Sequence, residues 1–389
     1  MKYNFDKLAK RKNTNSLKRD NSNCFLPMWV ADMDFKVFPL VKETLKQRVN
    51  IEAYGYSIID EGYYESVANF FLRNHQLKLN KENIIFTTGV VPAISSMVRR
   101  LTKAGEKVLV LSPVYNIFYN SILNNGRKVV TSNLSYQNYS YHIDFNDLEE
   151  KLSDPLVTLM IFCNPHNPIG KIWSKEEIDQ IALLARKNGV IVISDEIHCD
   201  IVNPKLKYNS FYQNELNREN SILCLSASKA FNLAGLQGAA IVCDNQFLKN
   251  RIERGFNNDE IAEPNFFVIE AYKCAFNNGD EYLKQLNEYL YQNKLLVKEY
   301  LETNIQEVKL INSEATYLLW IDVSKITSDA SLLVEDILNF TGLKLASGIE
   351  YGENAKGFIR MNIATSKANV LKGLKLFKKG IKHFKNNLK

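Results

Sequence analysis

The chain has 389 residues, 46% hydrophobic and 24% charged, enough to bury large cores and form two domains and too apolar for a disordered or low-complexity protein. The formal net charge of +6 is small for this length, and no apolar run approaches the ~20 residues needed to span a bilayer. The polar N-terminus, Met1 to Asp6, lacks a signal-peptide core, so the expected address is cytoplasmic.

Basic residues gather first at Lys10, Arg11, Lys12, Lys18 and Arg19. Short β-rich runs then alternate with helical patterns: 84–88, 107–111, 128–131, 157–163, 190–194, 221–226 and 238–243. Several are apolar almost throughout, as strands buried on both faces must be. Between the fourth and fifth, Ser174-Lys175-Glu176-Glu177 reads as a capping box that opens a helix through Ile178, Ile181, Leu184 and Ala185, closed by Gly189. This repetition predicts an α/β protein with a mostly parallel sheet covered by helices.

After about residue 265 the pattern changes to long helical segments carrying Tyr282, Leu286, Tyr289 and Leu290. Strands at 316–321 and 357–363 follow, then a last helix. There Leu371, Leu374, Phe377, Ile381 and Phe384 recur at three- and four-residue spacing among Lys372, Lys375, Lys378, Lys379, Lys382 and Lys385, an amphipathic helix with a solvated basic face. No recognition motif accompanies that charge, and no nucleic-acid or membrane partner is expected. The expected division is an N-terminal arm (1–45) that packs with the small domain, a large domain (46–275) and a smaller α+β domain (276–389).

The six cysteines (24, 163, 199, 224, 243 and 274) show no CxxC pair and no metal-ligand spacing, so no metal is expected. Cys163, Cys224 and Cys243 lie in apolar strand-like runs, where a reduced thiol behaves as a small core residue.

The unusual polar residues fall after strands, and ligands of an open parallel sheet bind beyond the C-terminal strand ends. Lys229, in Ser226-Ala227-Ser228-Lys229, follows the run 221–226. A lysine there can form a Schiff base with pyridoxal phosphate (PLP), with Ser226 and Ser228 on its phosphate; the bland alternative is a solvated surface lysine. Asp195 can hold a protonated pyridine nitrogen or simply cap a helix. Asn167, in Asn164-Pro165-His166-Asn167-Pro168, can donate to a phenolate oxygen or merely form a proline-rich turn. Tyr115 can stack on a ring with its hydroxyl free for proton transfer, or be an ordinary half-buried aromatic. Gly89-Val90-Val91 opens a helix and offers backbone N–H groups to an anion. Arg360, a charge in the apolar run 358–362, can clamp a substrate α-carboxylate or make a buried ion pair.

With these residues in this order the chain resembles the fold-type-I PLP enzymes, the aspartate aminotransferase superfamily, over essentially its whole length. Within it the chain looks like the cystathionine β-lyase or cysteine-S-conjugate β-lyase subgroup. Marks of the subgroup are the segment 26–35 (LPMWVADMDF), Tyr54-Gly55-Tyr56-Ser57, Gly89-Val90-Val91-Pro92, Asp195-Glu196-Ile197-His198 and Ser226-Ala227-Ser228-Lys229. The resemblance implies the PLP-dependent transferase fold, with a seven-stranded, mostly parallel sheet, and a homodimer with shared active sites. It makes Lys229 the cofactor-linking lysine, Asp195 the pyridinium partner, Asn167 the phenolate ligand and Tyr115 the stacking ring. Arg360 becomes the carboxylate anchor, and Tyr56 reaches the phosphate of the neighbouring subunit's cofactor. Val30 and Ala31, in the 29–35 segment, line the substrate entrance. His198 stands where aminotransferases commonly carry a tyrosine, and Gln237 where many carry a phosphate-binding arginine. Arg19 replaces the tryptophan usual in the subgroup.

The function expected is α,β-elimination on cystathionine or another cysteine S-conjugate, giving a thiol, pyruvate and ammonia. An aminotransferase on the same fold and a lyase-like protein with a regulatory or binding role are the alternatives.

Overall fold

The computed structural model describes residues 2–20 and 24–387. Seven strands build the main sheet: β1 (Ile84–Thr87), β2 (Lys107–Ser112), β3 (Lys128–Asn133), β4 (Val157–Cys163), β5 (Ile191–Asp195), β6 (Ser221–Leu225) and β7 (Ala239–Val242), in spatial order β1-β7-β6-β5-β4-β2-β3. Every residue of β1, β6 and β7 is buried, and the apolar runs in the sequence follow from that two-sided burial.

The β2–β3, β2–β4, β4–β5 and β5–β6 pairs are parallel, whereas β7 runs antiparallel to both β1 and β6. The link from β6 to β7 holds only the short helix Ala227–Ala230 and a 3₁₀ turn, Ala234–Leu236. No long helix carries the chain back across the sheet face, so the strand returns in the opposite direction.

Helices cover the sheet. We label α1 (Glu61–His75), α2 (Val90–Leu101), α3 (Lys175–Lys187), α4 (Asp280–Asn304) and α5 (Lys367–Asn387). The α3 capping box is formed as the sequence predicts: Glu177 N donates to Ser174 Oγ (3.1 Å) and Ser174 N to Glu177 Oε2 (2.8 Å). Gly189, at φ +67°, turns the chain out of that helix.

A second, four-stranded antiparallel sheet contains β8 (Lys309–Leu310), β9 (Leu318–Asp322), β10 (Ala346–Ser347) and β11 (Phe358–Asn362), in the order β8-β9-β11-β10. Trp320 of β9 is fully buried and stacks on Phe358, ring centroids 5.3 Å apart. Such a pair contributes about 0.5–1.5 kcal/mol beyond its burial. On α5 all seven lysines are exposed while Leu374, Phe377, Ile381 and Phe384 are buried. Gly380 joins the buried face because a Cβ there would meet Ile337 Cγ1 at 2.6 Å. Leu371 is only half-buried.

The N-terminal arm is stitched to this second unit by its backbone. Leu26–Pro27 pairs in parallel with Leu343–Lys344, Met28 O accepts from Asn362 N (2.9 Å), and Asp34 N donates to Ala364 O (2.8 Å). These bonds carry residues 29–32 across to the C-terminal edge of the main sheet.

Candidate active site

Register sets the site. Asp195, the last residue of β5, lies opposite Cys163 of β4 and Cys224 of β6, so the segments after three adjacent strands emerge at one edge. They meet around a cavity of about 230 Å³. Lys229, Asp195, Asn167, Tyr115, His198, Ser228, Gly89, Val90, Val91 and Ala31 all line it. Ten residues singled out from the sequence are thus brought together.

Lys229 is held by one strong contact, Nζ donating to Ala31 O at 2.9 Å. Burial and the positive charge of Arg360 lower its pKa to about 8, with Asp32 and Asp195 pulling the other way. Asp195 moves in the opposite sense, up to about 7, chiefly by burial; the Ile197 N–H (3.1 Å) and Lys229 offset part of this. Burial and the charges of Lys229 and Arg360 depress His198 to about 3, so its ring is neutral. Its Nδ1 is buried without a hydrogen-bond partner. Burial raises the Tyr115 hydroxyl.

The adjacent carboxylates Asp195 and Glu196 are built differently. Glu196 accepts from Ser194 Oγ, Phe211 N and Tyr208 OH, all at 2.8 Å, and its oxygens are occupied. Asp195 accepts a single protein hydrogen bond and opens on the cavity. One acid is structural and its neighbour is available.

At the other end of the cavity α2 begins without a side-chain cap. Gly89 sits at φ +147°, a conformation that L side chains rarely adopt, and the first N–H groups of α2 have no intrahelical acceptor. Such a helix start receives anions.

Arg360 on β11 is 5% exposed and reaches the group through Asn167, donating from Nη1 to Asn167 Oδ1 (3.2 Å). Its Nη2 donates to Trp29 O (2.8 Å), and its guanidinium lies over the Tyr351 ring at 4.7 Å. Arg360 Nε is buried and has no partner.

Four expected residues stand apart from the cavity wall: Arg360, which reaches it through Asn167, and Ser226, Val30 and Tyr56. Ser226 donates to Gly238 O (2.8 Å) and accepts from Ser228 N (3.1 Å), so its hydroxyl caps the short helix and ties β6 to β7. Val30 offers its carbonyl to Asn362 Nδ2 (2.5 Å) and does not line the cavity. Tyr56 is fully exposed and within one chain touches none of these groups. Arg19 lies 3.8 Å from Asp34 in a cluster with Arg11, Lys18 and Asp32.

Several contributors escape a reading of the sequence. Ala31 O receives both Lys229 Nζ and Tyr317 OH (3.0 Å), yet a backbone carbonyl leaves no trace in residue identity. Asn362 fixes the arm by donating to Val30 O and Asp32 O (2.7 Å). It was detectable in principle, being a second polar residue two positions from Arg360 in the same apolar strand.

Residues 26–375 match the family described as Aminotransferase class I and II. The chain is 36% identical to cystathionine beta-lyase PatB of Bacillus subtilis over 382 residues, 96% of this chain and 99% of that protein. Among solved structures it is similar to cystalysin from Treponema denticola, which contains a pyridoxal 5'-phosphate cofactor (TM-score 0.94, 30% identity, 98% of this chain and 100% of that one). It is similar also to the PLP-bound C-S lyase from Staphylococcus hominis (TM-score 0.92, 30% identity, 97% and 99% coverage).

Proposed function

The chain belongs to the aminotransferase class I and II family, and from that premise we propose that it is a PLP-dependent carbon–sulfur β-lyase. It cleaves cystathionine or other cysteine S-conjugates to a thiol, pyruvate and ammonia. The observation that carries this reading is the pairing, in one cavity, of a half-buried lysine with lowered pKa and a buried carboxylate with raised pKa.

The residues fit the cofactor at each end. The uncapped start of α2 and Ser228 suit its phosphate, Lys229 its aldehyde carbon, Asn167 its phenolate oxygen and Asp195 its ring nitrogen. Tyr115 and the neutral His198, with its unpartnered Nδ1, line the same cavity and would contact the ring. When bound, PLP supplies an electron sink for the negative charge left on a substrate α-carbon.

Arg360 grips the substrate carboxylate, and its unpartnered Nε is the donor that this contact would satisfy. Lys229, with its pKa near 8, has an appreciable neutral fraction near neutral pH and removes the α-proton at Nζ. With the cofactor bound, Asp195 would hold the proton of its ring nitrogen. Lys229 or the Tyr115 hydroxyl then delivers a proton to the departing sulfur.

Tyr56 is assigned to the phosphate of the partner subunit's cofactor. Its complete exposure, with Ile58 at 83% and Tyr54 at 58%, supports a second copy covering this segment. The enzyme is proposed to be cytoplasmic; among the described residues no helix is long and apolar enough to cross a membrane.

The test is product formation from cystathionine without any keto-acid acceptor. A lyase releases pyruvate continuously, whereas an aminotransferase stops after one turnover. Absence of steady pyruvate release across a series of cysteine S-conjugates would overturn the proposal.

A further inference from the structure

Immediately after His198 the chain turns away from the active-site cavity. Cys199 and Asp200 line a different cavity, of about 420 Å³, together with His75 from the last turn of α1 and Asn287 from α4. His75 Nε2 lies 2.6 Å from Asp200 Oδ1, and one ligand atom from each of His75, Cys199 and Asp200 falls within 4.8 Å of the others. A structural hydrogen bond between His75 and Asp200 accounts for only part of this cluster. Asp200 is 5% exposed, yet its Oδ2 is buried with no hydrogen-bond partner. Asn287 Oδ1 is buried and unpartnered as well, while Asn287 Nδ2 donates to Asp200 O at 2.8 Å. None of these groups is used by the proposed lyase chemistry.

We propose that His75, Cys199 and Asp200 bind a divalent transition-metal ion, with zinc the best match. An imidazole, a thiolate and a carboxylate converging in a mostly buried pocket form a mixed nitrogen, sulfur and oxygen set that suits zinc rather than magnesium or calcium. On binding, the S–H bond breaks, a sulfur–metal bond forms and the proton leaves to solvent. Zinc bonds of about 2.0–2.3 Å place tetrahedral ligands roughly 3.5 Å apart. The His75–Asp200 contact therefore opens slightly while wider gaps close by about an ångström, movements within reach of side-chain rotation. The fourth position falls to Asn287 Oδ1 or to water from the cavity. The ion would tie the end of α1 to the segment that carries Asp195 and His198.

The sequence gives no hint of this site because His75 stands 125 residues from Asp200 and no ligand spacing repeats. The test is equilibrium dialysis of chelator-stripped, tag-free holoenzyme against zinc, with bound metal quantified by elemental analysis. One zinc per chain is expected, weakened at least tenfold by Cys199→Ser and by His75→Gln and unchanged by Cys24→Ser with Cys274→Ser, which removes the two partly exposed thiols. X-ray absorption at the zinc edge, on the chain carrying only those last two changes, should show one sulfur at about 2.3 Å among nitrogen and oxygen ligands near 2.0 Å. That measurement decides the matter if the Cys199 or His75 variant fails to fold. No stoichiometric zinc, a shell without sulfur, or zinc binding that survives loss of Cys199 in a folded variant overturns the proposal.

Discussion

The two sides of the cavity are made by different means. The edge of the main sheet contributes side chains with chemistry of their own: Lys229, Asp195, Asn167, Tyr115 and the open start of α2. The arm contributes Ala31, whose carbonyl receives Lys229, and just behind the wall the second sheet contributes one guanidinium, Arg360, bonded to Asn167 and to the carbonyl of Trp29. On the first side, strand register brings the groups together without needing contact between them. On the second, position is enforced by hydrogen bonds from Asn362, Tyr317 and Arg360 to a segment with no helix or sheet of its own. In the proposed function the first side carries out bond breaking and the second grips what is broken. Substitutions should separate accordingly, into effects on kcat and effects on KM.

The largest effect is expected at Lys229. Lys229→Ala removes the group proposed to link the cofactor and move the α-proton, and turnover should fall by roughly a thousandfold or more. Substantial steady-state activity in that variant would break the division at its strongest point. Asp195→Asn comes next. It keeps the shape of the side chain but removes the charge proposed to hold a proton on the ring nitrogen, so kcat should fall by roughly a hundredfold with KM little changed. Steady-state kinetics on one cysteine S-conjugate reads both outcomes.

Arg360→Ala tests the other side. Loss of a buried charged contact costs about 2–5 kcal/mol, roughly thirty- to several-thousandfold in kcat/KM, expressed mainly in KM. Because the α-carboxylate is common to all candidate substrates, the loss should be similar across a series of sulfur substituents. An effect confined to one substituent would make Arg360 a reader of the side chain instead. A milder change, Asn362→Ala, frees Val30 O and Asp32 O and should raise KM several-fold by loosening the arm, with kcat held. A fall in kcat alone would show that the arm does more than grip.

The same asymmetry explains what was legible in the sequence. Strands buried on both faces advertise themselves as apolar runs; β1 to β7 all fall within about two residues of the predicted runs, although β3, at the sheet edge, is only partly buried and weakly apolar. A polar residue just after such a run stands out, which is how Lys229, Asp195 and Asn167 are found. Arg360 stands out by the opposite contrast, a charge inside a buried strand. Arm carbonyls have no such signature, and a residue's type does not say which way its side chain turns. Ser226 and Ser228 read identically, yet Ser226 points into the β6–β7 junction and Ser228 to the cavity. Asp195 and Glu196 are equally acidic in sequence, and only the hydrogen bonds from Ser194, Phe211 and Tyr208 separate them.

The smallest expected effect concerns stability, and it tests whether Asp195 is as available as its single hydrogen bond suggests. In the protein without cofactor, burial raises this carboxyl from 3.8 to about 7. Between those values the folded chain holds a proton that the unfolded chain has released, so the contribution to stability is complete below pH 3.8 and is lost as pH rises through about 7. Asp195→Asn has no proton to lose. Cofactor-free wild type and variant should therefore melt at similar temperatures near pH 4.5, with the variant ahead by a few degrees at pH 7.5. Lys229 does not confuse this window. Its pKa of about 8 lies below the unfolded 10.5, so in wild type its own contribution rises with pH mainly above the range compared. The variant lacks the Asp195 charge that holds the Lys229 pKa up, so its lysine deprotonates earlier and widens the gap in the same direction. Bound PLP should shrink or reverse the gap, because a protonated ring nitrogen gives the wild-type carboxylate the partner that the protein alone withholds. A gap in melting temperature that stays constant from pH 4.5 to 7.5 would mean that Asp195 is already ionised and satisfied within the chain, and its place on the chemical side of the cavity would have to be given up.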